Sequence, residues 1–256
     1  MSESGAEFYK GRPLVFGHRG ARQAAPENTL AAFRKAHEMG ADGIELDVML
    51  SADGVPVVIH DSTVDRTTNG SGRVRELTLD QLRELDAGGR FASQFSGEPI
   101  PTLAEVLDAF GSALRINIEL KSASAGDDGL ETQVVELLRA RSLGRSIVFS
   151  SFNPLSLWRA KRLAPEIRRG LLYAPDMPVY LSRAWAAPFL GLDAVHPEGR
   201  MVDAGYVRWA HGKGYHVNVW TVNEPPEMLR LIELGVDVLI TDRPDVARTL
   251  VDAQRR

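Results

Sequence analysis

The residues best placed to do chemistry lie in the octet Gly43-Ile44-Glu45-Leu46-Asp47-Val48-Met49-Leu50. Side chains of a strand alternate between its two faces. Ile44, Leu46, Val48 and Leu50 therefore share one face, and Glu45 and Asp47 share the other. Two carboxylates buried side by side cost several kcal/mol each, roughly, unless a cation compensates. The alternative is a half-exposed strand with a polar outer face. The stretch 114–121 repeats the pattern, with Ile116, Ile118 and Leu120 pointing one way and Asn117, Glu119 and Lys121 the other. Three carboxylates brought together with no thiolate nearby form an all-oxygen set, which selects a hard divalent cation, Mg²⁺ or Ca²⁺, rather than zinc. One such ion leaves the set net negative, and Arg19 and Lys121 add positive charge beside it. An anion bridging metal and cations fits there, and phosphate is the natural guest.

Phe16-Gly17-His18-Arg19-Gly20 and Val57-Val58-Ile59-His60-Asp61 are apolar runs that each end in a histidine beside a charged residue. Imidazole, with an unperturbed pKa of about 6.5, exchanges a proton near neutrality. Two imidazoles on opposite sides of a phosphodiester can deprotonate the nucleophile and protonate the leaving alkoxide, each role typically adding about 10²–10⁴-fold in rate. A lone histidine is more often structural; the pair beside three carboxylates points to catalysis.

The elements that must position these residues follow a regular rhythm. Leu14–His18 reads as a buried strand, and Thr29 as the N-cap of a helix with Leu30, Phe33 and Ala36 on one face, stopping at Gly40. Ser51-Ala52-Asp53-Gly54 has the chemistry of a hairpin turn, and Val55–His60 is the returning strand. The polar segment 62–98 breaks the rhythm. In it Thr78 and Gln81 form a capping box before Leu82 and Leu85, and a segment of this length is expected to cover something functional.

Beyond Pro101 the spacing predicts helices Thr102–Phe110, Leu130–Arg141, Pro154–Leu163, Pro178–Ala187, Asp203–Gly212, Pro225–Leu234 and Asp245–Gln254. The strands between them are Leu114–Lys121, Ser146–Phe152, Arg168–Tyr173, Ala194–His196, His216–Val222 and Val238–Thr241. Met39-Gly40-Ala41-Asp42 and Leu234-Gly235-Val236-Asp237 resemble each other, as a reused βα unit would. Eight parallel strands in 256 residues predict a (β/α)8 TIM barrel as a single domain, 1–256, with a small insertion after the second strand. A doubly wound open sheet would want a Gly-rich phosphate loop after the first strand, and there is none. Barrel function gathers at the C-terminal strand ends. Here these hold His18, Arg19, Glu45, Asp47, Glu119, Lys121, His196, Trp220 and Asp242, with His60 on the added strand.

A net charge of −4 with interspersed signs argues against a nucleic-acid platform. The chain has no cysteine, which excludes disulfides, thiolate metal sites and cysteine nucleophiles. Residues 1–12 are polar, and no stretch reaches the ~18 apolar residues of a membrane span. A cytoplasmic protein with no stable membrane association is expected; nothing in the chain specifies an oligomeric state.

His18-Arg19-Gly20, Glu27-Asn28-Thr29, Glu45-Leu46-Asp47, His60-Asp61, Ile118-Glu119-Leu120-Lys121 and Val219-Trp220-Thr221-Val222-Asn223-Glu224, in that order, resemble the glycerophosphodiester phosphodiesterases from about Leu14 to Val246. The resemblance implies that Glu45, Asp47 and Glu119 hold the metal, and that His18 and His60 are acid and base. It implies that Arg19 and Lys121 grip the phosphate and that Trp220 lines the site near the glycerol. The activity it implies is hydrolysis of glycerophosphodiesters to glycerol 3-phosphate and an alcohol. The alternative is a lipid-directed, phospholipase D-like relative acting on lysophospholipids or sphingolipids. Segment 62–98, with mixed charges and no apolar stripe, favours water-soluble diesters.

His196 either reaches the substrate or is a loop histidine before Pro197. Trp220 could instead fill core. Asp242 either supports the site or caps the last helix. Phe91 and Phe95 either anchor the inserted segment or face the pocket. His37, His211 and His216 read as helix-surface or strand-start residues, and Asn69–Gly72, which lacks a lysine, reads as a turn.

Overall fold

The computed structural model describes residues 8–10, 13–122, 126–179 and 187–254. Eight parallel strands close a ring: β1 (Leu14–His18), β2 (Gly43–Leu50), β4 (Arg115–Leu120), β5 (Ile147–Ser151), β6 (Arg168–Tyr173), β7 (Ala194–Pro197), β8 (His216–Val219) and β9 (Val238–Thr241). β1 pairs with both β9 and β2, which leaves no edge within the ring. The short β3 (Pro56–Val58) pairs antiparallel with β2 outside the ring, as the hairpin turn at 51–54 requires. The fold is thus the (β/α)8 barrel that the alternation of elements predicts.

Helices α1 (Leu30–Glu38), α2 (Leu79–Arg83), α3 (Leu103–Phe110), α4 (Leu130–Arg141), α5 (Pro154–Leu163), α6 (Ala187–Leu190), α7 (Ala204–Gly212), α8 (Pro225–Leu234) and α9 (Pro244–Ala253) complete the described chain. The start signals act as expected. Thr29 accepts from the Ala32 amide, and Thr78–Gln81 and Thr102–Glu105 form capping boxes. Strand β3 ends two residues before His60, and β8 ends at Val219, so His60 and Trp220 sit just past strand ends. Most of the expected helix 178–187 lies outside the described residues.

Strand alternation separates two cores. Ile44, Leu46, Val48, Ile116, Ile118 and Leu120 face outward against the helices, packing with Phe33, Leu103 and Val134. Leu14, Phe16, Val148, Ala194, Val238 and Ile240 face inward and pack with Phe8 and Tyr9, which plug the end of the barrel where the strands begin. A third cluster of Val57, Ile59, Val64, Val74, Leu82 and Ile100, with Leu77 and Leu85 against it, holds segment 62–98 on β3. Leu82 and Leu85 pack down, as their spacing suggests. Phe91 is 43% exposed, with Phe95 edge-on at 5.6 Å, and neither lines the cavity described below.

Candidate active site

The register of three neighbouring strands assembles the acidic cluster. His18 lies opposite Glu45, Glu45 opposite Asn117, and Asp47 opposite Glu119. Because these residues alternate with the outward apolar set, all of them point into the barrel. One oxygen from each of Glu45, Asp47 and Glu119 lies within 4.8 Å of the others, and all three residues are buried.

The first βα turn wraps this cluster. Arg19 adopts a left-handed φ of +53°, which aims its backbone N–H at Glu45 Oε2, 3.0 Å away. Its guanidinium donates to Glu27 Oε1 at 2.8 Å, and its Nε lies 3.3 Å from Asp47 Oδ2. Gly20 follows with φ +85°, and a Cβ there would fall 2.6 Å from the Ala32 backbone, so only glycine lets α1 approach this closely. Asn28, also left-handed at φ +57°, donates from Nδ2 to Asp47 Oδ2 at 2.9 Å. On the far side Lys121 Nζ lies 3.1 Å from Glu119 Oε1 and 3.5 Å from Asp47 Oδ1.

Both candidate histidines are held by carboxylates. His18 Nδ1 is 2.7 Å from Asp242 Oδ1, whose other oxygen accepts from Asn223 Nδ2 at 2.8 Å. The last helix has Arg243 at its N-cap and no side-chain cap, so Asp242 serves His18 rather than the helix. His60 Nδ1 is 2.7 Å from Asp61 Oδ1. Arg66 ties Asp61 to Glu27 by donating to both.

Burial, reinforced by the charges of Asp47 and Glu119, pushes the Glu45 carboxyl well above its usual range. Burial and Asp47 push Glu119 up to about 7, against the pull of Lys121. Asp47 goes the other way. Burial disfavours its charge, but Arg19, Lys121, His60 and the Asn28 amide together hold it below the ordinary carboxylate value. Burial also lowers the His60 imidazole below its ordinary value, although Asp47 pulls it upward.

These groups border a cavity of about 310 Å³ at the C-terminal ends of the strands. His18, Arg19, Glu45, His60, Glu119 and Trp220 line it, with Arg22, Asn117, Phe152, Leu172, Thr221 and Ile240. Asp47 and Lys121 adjoin the lining through the contacts above. Trp220 donates from Nε1 to the His196 carbonyl at 2.8 Å and meets Phe152 edge-on at 5.4 Å, forming an aromatic wall.

His196 is the exception among the expected site residues. Its ring is fully buried inside the barrel, outside the cavity lining, with Nε2 2.9 Å from Asn218 Nδ2. Gly170 makes room for it, since a Cβ there would lie 2.2 Å from Nε2. Burial depresses its pKa to about 3, so the ring stays neutral, and only its backbone carbonyl serves the site, through Trp220. His211 and His216 lie apart from the cavity, both bonded to Asp237 at 2.8 Å. Asn28, Phe152 and Arg22 carried no assigned role in the sequence. Asn28 stood inside a motif, whereas Phe152 and Arg22 had no local signal.

A closed (β/α)8 barrel whose strand ends gather carboxylates, imidazoles and cationic side chains in one cavity defines a class of barrel enzymes. This chain belongs to the glycerophosphoryl diester phosphodiesterase family, whose sequence profile matches residues 18–246. It is 41% identical over 243 residues to a glycerophosphodiester phosphodiesterase of Caldanaerobacter subterraneus subsp. tengcongensis, covering 94% of this chain and 98% of that one. Its fold is similar to that of an Oleispira antarctica phosphodiesterase solved in complex with the product sn-glycerol-3-phosphate. That match has a TM-score of 0.83 and 34% identity over 96% of this chain and 99% of the other. A glycerophosphodiester phosphodiesterase from Agrobacterium tumefaciens is similar at TM-score 0.81 and 32% identity, over 92% and 99% of the two chains.

Proposed function

We propose that this enzyme hydrolyses water-soluble glycerophosphodiesters to glycerol 3-phosphate and an alcohol, using a divalent cation and two histidines. The observation that carries this reading is the convergence of three buried carboxylates beside a cavity lined by two carboxylate-bound imidazoles. The residues fit a cation. Asp47 Oδ1 is buried without a hydrogen-bond partner, and the Glu45 and Glu119 carboxyls are pushed up by burial and by the charge of Asp47, both of which a cation would offset. Glu45, Asp47 and Glu119 would hold Mg²⁺ or Ca²⁺, and the ion would supply Lewis-acid polarisation of a phosphoryl oxygen.

The chain's own groups supply the rest. Asp242 and Asp61 accept from Nδ1 of His18 and His60, which leaves each Nε2 to carry a proton to or from the substrate. One imidazole takes a proton from the attacking water, whose oxygen forms the new bond to phosphorus, and the other protonates the departing alkoxide as its bond to phosphorus breaks. Arg19 and Lys121 neutralise the phosphate as it meets the carboxylates. Trp220 and Phe152 exclude water from the apolar side. The cavity's size suits a small polar diester.

The test is a coupled assay of glycerol 3-phosphate release from glycerophosphocholine, glycerophosphoethanolamine and micellar lysophosphatidylcholine, with and without chelator. The soluble diesters should give the higher kcat/KM, and chelation should abolish turnover until the cation is restored. His18→Ala and His60→Ala should each lower kcat by about 10²–10⁴-fold. Full activity after exhaustive chelation would remove the metal from the mechanism, and preference for the lysolipid would establish the lipid-directed alternative.

A further inference from the structure

Asn117 sits at the floor of the cavity, with its polar atoms unused. It is 1% exposed and lines the cavity, yet neither Oδ1 nor Nδ2 has a hydrogen-bond partner among the described residues. A buried amide left unpaired on both sides is unfavourable, and native structures reserve such groups for ligand or ordered water. Its place is set by the strands: inward-facing on β4, opposite Glu45, and one inward-facing position before Glu119. Leu172 and Ile240, which also line the cavity, offer no polar group that could serve instead.

The chemistry of the carboxamide selects what it binds. It presents one acceptor and one two-proton donor, fixed relative to each other. A phosphate oxygen could use only the donor and would face the Oδ1 lone pairs, while a quaternary ammonium could use neither. A hydroxyl uses both, donating to Oδ1 and accepting from Nδ2. The cationic groups Arg19 and Lys121 lie instead around Asp47 and Glu119, at the next inward-facing level of the strands. We infer that Asn117 is a specificity residue that hydrogen-bonds a hydroxyl of the glycerol moiety, so that the glycerol half of the diester lies deepest in the barrel. This inference rests on the function proposed above and deepens it.

The test compares two diesters on the metal-loaded enzyme: glycerophosphocholine, and bis(p-nitrophenyl) phosphate, which has no hydroxyl. Asn117→Leu is nearly isosteric and cannot pair with a hydroxyl, whereas Asn117→Ser keeps one hydrogen-bonding group. For Asn117→Leu, kcat/KM on glycerophosphocholine should fall at least tenfold more than on bis(p-nitrophenyl) phosphate. Asn117→Ser should fall between parent and Leu. Calorimetric affinity for glycerol 3-phosphate should weaken in the same order. Equal losses on both diesters, or no loss on either, would overturn the assignment. If the parent releases no glycerol 3-phosphate, the proposed function fails by itself, and the calorimetric comparison still decides the role of Asn117. Should the Leu variant not fold, the Ser variant carries both readouts.

Discussion

Glu45 and Glu119 hold their protons more tightly than exposed glutamates do, because burial and the charge of Asp47 both oppose ionisation. A carboxyl whose folded pKa is raised stabilises the fold below its unfolded pKa, and that stability is lost as pH rises through the folded value. In the metal-free protein Glu119 therefore costs stability as pH rises from the ordinary value of 4.5 to about 7, and the cost is complete above that. Cation binding must displace the Glu119 proton at low pH and finds it already gone at high pH. The rise in Tm on adding Ca²⁺ or Mg²⁺ should thus be larger near pH 8 than near pH 6, about the two sides of that transition. Calorimetric metal affinity should climb by up to about tenfold per pH unit for each proton displaced. Affinity that is flat across this range would show that these carboxylates do not bind the ion. The pairing of Glu45 with Asp47, and of Asn117 with Glu119, was legible because alternation with large aliphatic neighbours leaves each residue only one face. The fate of His196 was not. Whether an inward residue reaches the cavity depends on its depth along the barrel and on the space left by Gly170, a residue of the neighbouring strand.

At the scale of elements, segment 62–98 reaches the site through Arg66 and, among the described residues, contributes none of those lining the cavity. Arg66 donates from Nε to Asp61 Oδ2 at 2.5 Å and from its two terminal nitrogens to Glu27 at 2.9 and 2.7 Å. Glu27 in turn holds Arg19 and Arg22. One guanidinium from the added segment thus fixes the carboxylate behind His60 and the carboxylate that anchors Arg19. Arg66 is half-exposed and Glu27 keeps Arg19 and Arg22 as partners, and bridges from such an exposed side chain typically contribute about 0–1 kcal/mol to stability. Arg66→Ala should therefore leave Tm nearly unchanged while lowering kcat by about tenfold or more through loosened imidazole geometry. Millimolar guanidinium should restore part of the loss. Unchanged kcat would show that His60 needs no such support. The sequence announced the segment by its polarity and its capping box, and the packing of Leu82 and Leu85 by their spacing. The Arg66 link spans 39 residues to Glu27, and no local pattern encodes it.

Across the whole molecule, helix caps and alternating strands made the barrel legible, since each βα unit repeats the same local chemistry. The plug at its base was less so, because Phe8 and Tyr9 lie in a short polar lead-in and acquire their role only when the ring closes over them. Tyr9 stacks on His216 at 3.6 Å, and its hydroxyl accepts from Asn218 Nδ2 at 3.1 Å. A barrel sealed at that end is a blind alley, so whatever enters the cavity must back out through the same mouth. With the glycerol half innermost, the alcohol leaves first and glycerol 3-phosphate last. Inhibition patterns should record that order. Glycerol 3-phosphate, which meets the empty enzyme, should compete with substrate, while the alcohol should inhibit noncompetitively. The reverse pattern in initial-rate measurements would place the alcohol deepest and turn the substrate around in its pocket.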